Sequence, residues 1–393
     1  MFETLQTMPA DAILGLIAEY RNDSRPEKID LGVGVYRNAA GETPILNTVK
    51  KAERHLVETQ TTKSYISTAG EPTFNAAMQA MTFAGAVTDD RLVTIQTPGG
   101  SGSLRVAAGM LLRAKDAVTV WVSEPTWANH VPLLGGAGLQ LKSYPYYDTK
   151  RHVIEIDAML ETLRGAPKGD VVLLHACCHN PTGLDPTEAD WQAIVEVIGE
   201  RELLPFIDIA YQGFARGIAD DNYVIRELAR RVPEMIVSNS CSKNFGLYRD
   251  RVGSLSQLCA DTATRDIVSS QVNSYVRTLY SLPPDHGAAV VSKILNDSEL
   301  RAEWLDEVKE MRHRLQSMRT LLTDALVEKM PDHDFSHLVR ANGMFSYLGA
   351  TPEQVERLKR EFGIYLVNTS RINVAGITGD NVGYLSDAIA AVL

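Results

Sequence analysis

The sequence predicts an α/β protein whose main unit is a mostly parallel sheet sandwiched by helices, with a smaller α+β unit beside it. Short β-branched runs alternate with amphipathic stretches from about Val49 to Ser292, the pattern of strands joined by helical crossovers. Beyond them, apolar residues recur at helical spacing for many turns, and the pattern then changes to short mixed elements. With 393 residues the chain has length for roughly two or three domains and a large core.

The strands read in order as Leu92–Gln96, Val118–Ser123, Val171–His175, Leu204–Ile209, Met235–Ser238 and Val252–Leu258. From Ser298 to Met330 the residues Leu300, Trp304, Val308, Met311, Leu315, Met318 and Leu322 share one helical stripe, which predicts one long helix or a kinked pair. The spacing is not a strict heptad, so the stripe is expected to face the core rather than a coiled-coil partner. From Asp334 onward, short strands are expected between helices over Pro352–Phe362 and Asp380–Val392. No linker or fixed-period repeat separates the units, which predicts that they intertwine.

Composition narrows the function. Hydrophobic residues at 45% and charged ones at 22% exclude an extended disordered chain. The charge balance, 39 basic against 49 acidic residues or −10, argues against a generic nucleic-acid or anionic-membrane surface, so a bound anion must meet a local cluster. Four cysteines, two of them adjacent at Cys177 and Cys178, do not resemble a secreted disulfide framework. The opening Met1-Phe2-Glu3 starts no basic-then-apolar leader, and no run of about eighteen apolar residues occurs. A cytoplasmic protein is expected, without membrane or nucleic-acid partners.

Four segments carry chemistry. Thr97-Pro-Gly-Gly-Ser-Gly-Ser103 follows a strand and leads into the helical run Leu104–Leu112. It reads either as a cradle whose backbone N–H groups and Ser101 hydroxyl hold a phosphate, or as a plain turn. In His175-Ala-Cys-Cys-His179 a metal reading fails on geometry, because successive strand residues point to opposite faces. The following Asn180-Pro-Thr-Gly183 sets an amide at the carboxyl end of a strand, where open α/β sheets bind ligands. Asp208 stands inside the apolar run Leu204–Tyr211 and must meet a cation, structural or cofactor-borne. Lys243 follows another strand amid Ser240, Ser242 and Gly246, where burial would lower its pKa and leave a nucleophilic amine.

Phosphate cradle, strand-end Asn, buried Asp and later Lys together match pyridoxal 5′-phosphate chemistry. The sequence resembles fold-type I aminotransferases of the aspartate and aromatic amino-acid subgroup, closest in pattern to the bacterial aromatic enzymes. The likeness runs from Pro9 to the C-terminus through Asp30-Leu-Gly-Val-Gly-Val-Tyr36, Tyr65, Pro125-Thr-Trp-Ala-Asn-His130, Cys177-Cys-His-Asn-Pro-Thr-Gly183, Ala210-Tyr-Gln-Gly-Phe214, Ser242-Lys-Asn-Phe-Gly246, Tyr280-Ser-Leu-Pro-Pro284 and Ser370-Arg-Ile-Asn-Val-Ala-Gly376.

This resemblance implies a seven-stranded sheet, an N-terminal arm over 1–11, a large cofactor-binding domain over 45–310, and a small domain built from 12–44 and 311–393. It implies that Lys243 holds the cofactor as a Schiff base and later moves the substrate Cα proton. Asp208 would pair the pyridine nitrogen, Asn180 and Tyr211 the ring oxygen, and Trp127 the ring face. Gly100, Ser101, Ser240 and Arg251 would hold the phosphate, with Tyr65 arriving from a second subunit, which makes a homodimer. Arg371 would clamp the substrate α-carboxylate, Val33 and Gly34 would close over it, and Arg277 would cross the interface to a side-chain carboxylate. The implied reaction is a ping-pong transfer in which the cofactor carries nitrogen from one amino acid to a second oxo acid, 2-oxoglutarate.

Both arginines occur in aspartate and aromatic enzymes alike. Aspartate enzymes commonly carry Thr where Ser101 stands and Asn where Leu282 stands, and an apolar Leu282 favours an aromatic ring. Gly213–Gly217 and Asn244–Tyr248, in contrast, are at home in aspartate enzymes. The expectation is an aromatic amino-acid aminotransferase that also accepts aspartate and glutamate, with an aspartate aminotransferase as the alternative.

Overall fold

In a computed structural model the described residues are 1–7 and 12–393, so the last part of the expected N-terminal arm, and Pro9 with it, lies outside them. A central sheet of seven strands runs in the order Leu92–Pro98, Val252–Leu258, Met235–Ser240, Leu204–Ile209, Val171–His175, Thr119–Glu124, Gln140–Pro145. Only Val252–Leu258 is antiparallel to its neighbours.

Both faces of the sheet are covered, which is why its strands read as near-continuous apolar runs. Alternation along each strand divides the core: Leu173, Phe206 and Ile236 face one apolar layer with Val106 and Ala107 of the Gly99–Ala114 helix. Their chain neighbours Leu174, Ile207 and Val237 face the other layer, with Leu228 and Trp304.

Six strands match the sequence reading to within a residue or two at their ends. The seventh, Gln140–Pro145, is an edge strand on which Tyr144 alone is buried, so it offers no apolar run to read. A correction concerns the glycine segment: Gly99–Ser103 is not a loop but the first turn of the Gly99–Ala114 helix. Glycine's low helix propensity hides such a start, which tertiary packing enforces. Gly253 on the neighbouring strand makes room for it, because a Cβ there would come within 2.6 Å of both the Gly99 backbone and the Asn239 carbonyl.

The long helix spans Ser298–Lys329 without a break and buries Trp304, Val308, Met311, Leu315 and Leu322. Leu300 and Met318 are only half-buried, whereas Arg319, outside the predicted stripe, is 1% exposed. The last helix, Val382–Val392, starts two residues later than the sequence suggests, after Asn381. Beyond the long helix, Phe345–Tyr347 pairs with Arg371–Asn373, while Ile364–Tyr365 pairs with the N-terminal strand Ile29–Asp30. Arg314 of the long helix donates to the carbonyls of Arg37, Asn38 and Ile377. Among the described residues no helix is long and apolar enough to cross a membrane, and all four cysteines are buried and unpaired.

Candidate active site

The carboxyl ends of the parallel strands converge on one cavity, the position open α/β sheets use for ligands. Lys243, Asp208, Asn180, Tyr211 and Trp127 line it together. Strand register explains part of the convergence: Asp208 lies beside His175 on one side and Ser238 on the other.

At one end the cavity is built for an anion. Gly100 and Ser101 belong to the first helical turn, whose N–H groups have no intrahelical acceptors. Ser240, at the end of its strand, and Arg251 complete this end. Gly100 packs tightly there, since a Cβ would lie 3.2 Å from that of Ser240. Arg251 adopts a positive φ of 54° and donates to the Tyr248 carbonyl at 3.2 Å and the Ser242 hydroxyl at 3.4 Å.

Lys243 Nζ lies 4.9 Å over the Tyr211 ring and meets no hydrogen-bond partner among the described residues. Burial, helped by the Arg251 charge and opposed by Asp208, pulls its pKa down to about 8. A nucleophile needs such an amine. Burial alone would raise the Asp208 carboxyl, but a hydrogen bond from His130 and the nearby Lys243 charge carry it below the usual range. His130 Nε2 sits 3.0 Å from Asp208 Oδ2, and its Nδ1 meets the Thr126 hydroxyl at 2.8 Å. His175 stacks on His130 at 5.2 Å, and burial pushes it down to about 3, so it stays neutral. Asp208 therefore remains an anion, prepared for a cationic partner.

At the other end stand Gly34 and Arg371, both lining the cavity. Arg371 donates through Nη2 to the Gly32 carbonyl at 2.8 Å, and its buried Nε has no partner. The Phe345 ring packs 4.2 Å from the guanidinium and 5.9 Å, edge-on, from Tyr211. Val33 does not line the cavity directly, but its carbonyl is held by Asn373 at 2.5 Å.

Tyr65 and Arg277 do not join this cavity. They line a second one with Leu282 and Tyr280, and Tyr65 is 92% exposed. Arg277 donates to the Ser281 hydroxyl at 2.5 Å.

Sequence reading missed His130 and Phe345 as site residues. His130 was signalled only by its place three residues after Trp127, at the start of the His130–Gly135 helix. Phe345 carries no local signal, because its neighbours come from residues 34, 211 and 371. Behind it, buried Arg319 donates to the carbonyls of Leu338, Asn342, Gly343 and Phe345.

Both nitrogens of His179 are engaged, by the hydroxyls of Ser123 at 2.9 Å and Thr182 at 3.0 Å. Potential ligand atoms of His130, His175 and Asp208 do lie within 4.8 Å of one another. The His130–Asp208 hydrogen bond already uses that arrangement.

The donor set suits a phosphorylated pyridine aldehyde. It offers an anion cradle, a carboxylate held ionised, an unpartnered amine, and the amide of Asn180 in the cavity wall. Comparison with known proteins agrees. Residues 26–389 match the family described as aminotransferase class I and II. The chain is an aminotransferase of that family. It is 48% identical to the aspartate aminotransferase of Escherichia coli K12, over the full length of both. Against the aromatic-amino-acid aminotransferase of Pseudomonas aeruginosa it is 46% identical, covering 100% of this chain and 98% of that one. A crystal structure of the aromatic-amino-acid aminotransferase from Burkholderia pseudomallei, covalently bound to pyridoxal phosphate, superposes with a TM-score of 0.97 at 42% identity, covering 100% and 99% of the two chains. The aminotransferase thus has the type I fold expected from its motifs.

Proposed function

We propose that this aminotransferase transfers amino groups from aromatic amino acids to 2-oxoglutarate, accepts dicarboxylic amino acids as well, and uses pyridoxal 5′-phosphate held by Lys243. When bound, that cofactor supplies an aldehyde that takes up the amino group and a ring that withdraws electrons from the substrate Cα.

The chain's own groups divide the remaining tasks. Lys243, with its pKa pulled down to about 8, keeps a usable neutral fraction at neutral pH and would hold the cofactor through its amine. Its Nζ, when neutral and not bonded to the cofactor, would take the proton from the substrate Cα. Asp208 would accept a hydrogen bond from the ring nitrogen, and Asn180 and Tyr211 would donate to the ring oxygen. Trp127 would cover the ring face. The first helical turn at Gly100 and Ser101, with Ser240 and Arg251, holds the phosphate dianion. Arg371 grips the substrate α-carboxylate in a two-point pair, and Val33 and Gly34 cover it, excluding water.

Tyr65 and Arg277 act in a partner's site, which makes the working form a homodimer. The exposure of Tyr65 and its separation from the Lys243 cavity support this assignment. Residues 45–310 form the large domain, with 12–44 and 311–393 as the small one; the Ile29–Ile364 pairing and the Arg314 bonds support this division. We place the enzyme in the cytoplasm, a placement its unpaired cysteines support.

The observation that carries the aromatic preference is Leu282, which stands with Ile66, Tyr280 and Pro283 in the cavity of Arg277. An apolar wall beside the guanidinium gains from burying a ring and offers no second polar partner to a short carboxylate. The 48% identity to an aspartate enzyme favours the second reading, aspartate transamination. Comparing kcat/KM for tyrosine, phenylalanine and aspartate with 2-oxoglutarate separates them. Aromatic substrates are expected to equal or exceed aspartate, and Lys243→Ala to abolish turnover with all three. A large aspartate excess with negligible aromatic turnover would establish the second reading.

A further inference from the structure

The segment from Asp30 to Asn38, which carries Gly34 to the substrate end of the cavity, is held almost wholly from one side. Asp30 Oδ1 accepts from the Gly32 and Val33 amides at 2.9 and 3.2 Å, and Asp30 Oδ2 pairs with Arg37 at 2.5 Å. Arg371 donates to the Gly32 carbonyl, Asn373 to those of Val33 and Val35, and Arg314 to those of Arg37 and Asn38. The Leu31 amide reaches Tyr365, and the Leu31 carbonyl receives the Asn373 amide. All of these partners lie within the segment itself or beyond residue 311.

One bond goes the other way. The Tyr36 amide donates to the hydroxyl of Tyr248 at 2.8 Å. Among the described residues it is the only hydrogen bond between 30–38 and 45–310. Tyr248 is also the residue whose carbonyl receives Arg251, the cation of the anion end, at 3.2 Å. Burial pushes its hydroxyl up to about 12, so it stays neutral and keeps its lone pair for the amide across the working pH range.

We propose that Tyr248 is a positioning residue: its hydroxyl moors the Gly32–Tyr36 loop to the phosphate-binding segment and so sets the cover over the carboxylate that Arg371 holds. The inference rests on the site reading given above. An α-carboxylate is common to every amino acid and oxo acid the enzyme handles, so a loosened cover penalises all of them alike. A loss of side-chain recognition at Arg277 would instead discriminate between them.

Tyr248→Phe removes the acceptor and keeps the ring, so the fold is retained. Removing one net hydrogen bond is expected to raise KM for tyrosine, aspartate and 2-oxoglutarate by a common factor of about three to ten. With saturating substrate the loop is held by the ligand itself, and kcat should stay within about twofold of the parent. Amide exchange followed by mass spectrometry in the substrate-free holoenzyme supplies a readout independent of turnover. The Tyr36 amide should exchange about three- to tenfold faster in the variant, with peptides of the central sheet unchanged. An unaltered Tyr36 amide, or an unaltered KM for all three compounds in an active variant, would overturn the proposal. An inactive parent enzyme would instead count against the site reading, and the exchange result would stand apart from it.

Discussion

Taking an amine out of water without a hydrogen-bond partner penalises its charged form, and at Lys243 this leaves a base of about 8 in place of the ordinary 10.5. Between those two values the unfolded chain binds more protons at this residue than the folded apoprotein does. Stability therefore rises with pH through that window and the penalty is complete below it. Thermal melts of apoprotein and of a Lys243→Met variant, compared between about pH 8 and pH 10, should show the parent gaining on the variant as pH rises. A flat difference would mean that the amine is solvated. Lys243, Asp208 and Asn180 were legible in the sequence because a charged or amide side chain at the end of an apolar strand has few bland explanations. His130 was not, since its value comes from a bond to Asp208, 78 positions away. The pair acts as one unit, in which the histidine keeps the carboxylate ionised.

Elements place these groups, and the place of closest fit is the crossing of the Val252–Leu258 strand with the start of the Gly99–Ala114 helix. Gly253 pairs with Ser240 on one side and Thr97 on the other, so backbone crowds it from two directions. Gly253→Ala must push the Gly99 backbone or the Asn239 carbonyl aside, at a cost of about 1–3 kcal/mol. The first helical turn would then move off its phosphate position. A lower Tm together with weaker retention of pyridoxal phosphate on dialysis is expected. Normal retention with only a lowered Tm would show that the turn tolerates the shift. Strands with buried β-branched runs were readable, as was the long helix from its apolar stripe. The edge strand Gln140–Pro145 and the glycine-rich helical turn were not. Their conformations come from neighbours rather than from local propensity.

At the scale of the whole molecule, Arg277 and Tyr65 line a cavity separate from that of Lys243, and under the proposed homodimer each site would be a joint product of two chains. Mixing Lys243→Ala with Arg277→Ala subunits under conditions of exchange tests this directly. In each mixed dimer both lesions fall in one site and the other is intact, so about a quarter of all sites recover activity toward aspartate. Recovery absent from a verified mixed dimer would place Arg277 in its own subunit's site. In the sequence, the proposed arrangement is implied only by family likeness, because nothing in one chain's periodicity indicates what a second chain would cover.

The pairing of Ile29 and Asp30 with Ile364 and Tyr365 has a temporal side as well. Translation delivers the second of these stretches more than three hundred residues after the first, and among the described residues neither has another strand to lie against. While the ribosome is still working, Ile29, Leu31 and Tyr36, all buried in the finished protein, must wait in the open. Over the interval between the two, the first apolar stretch lacks the strand that finally covers it.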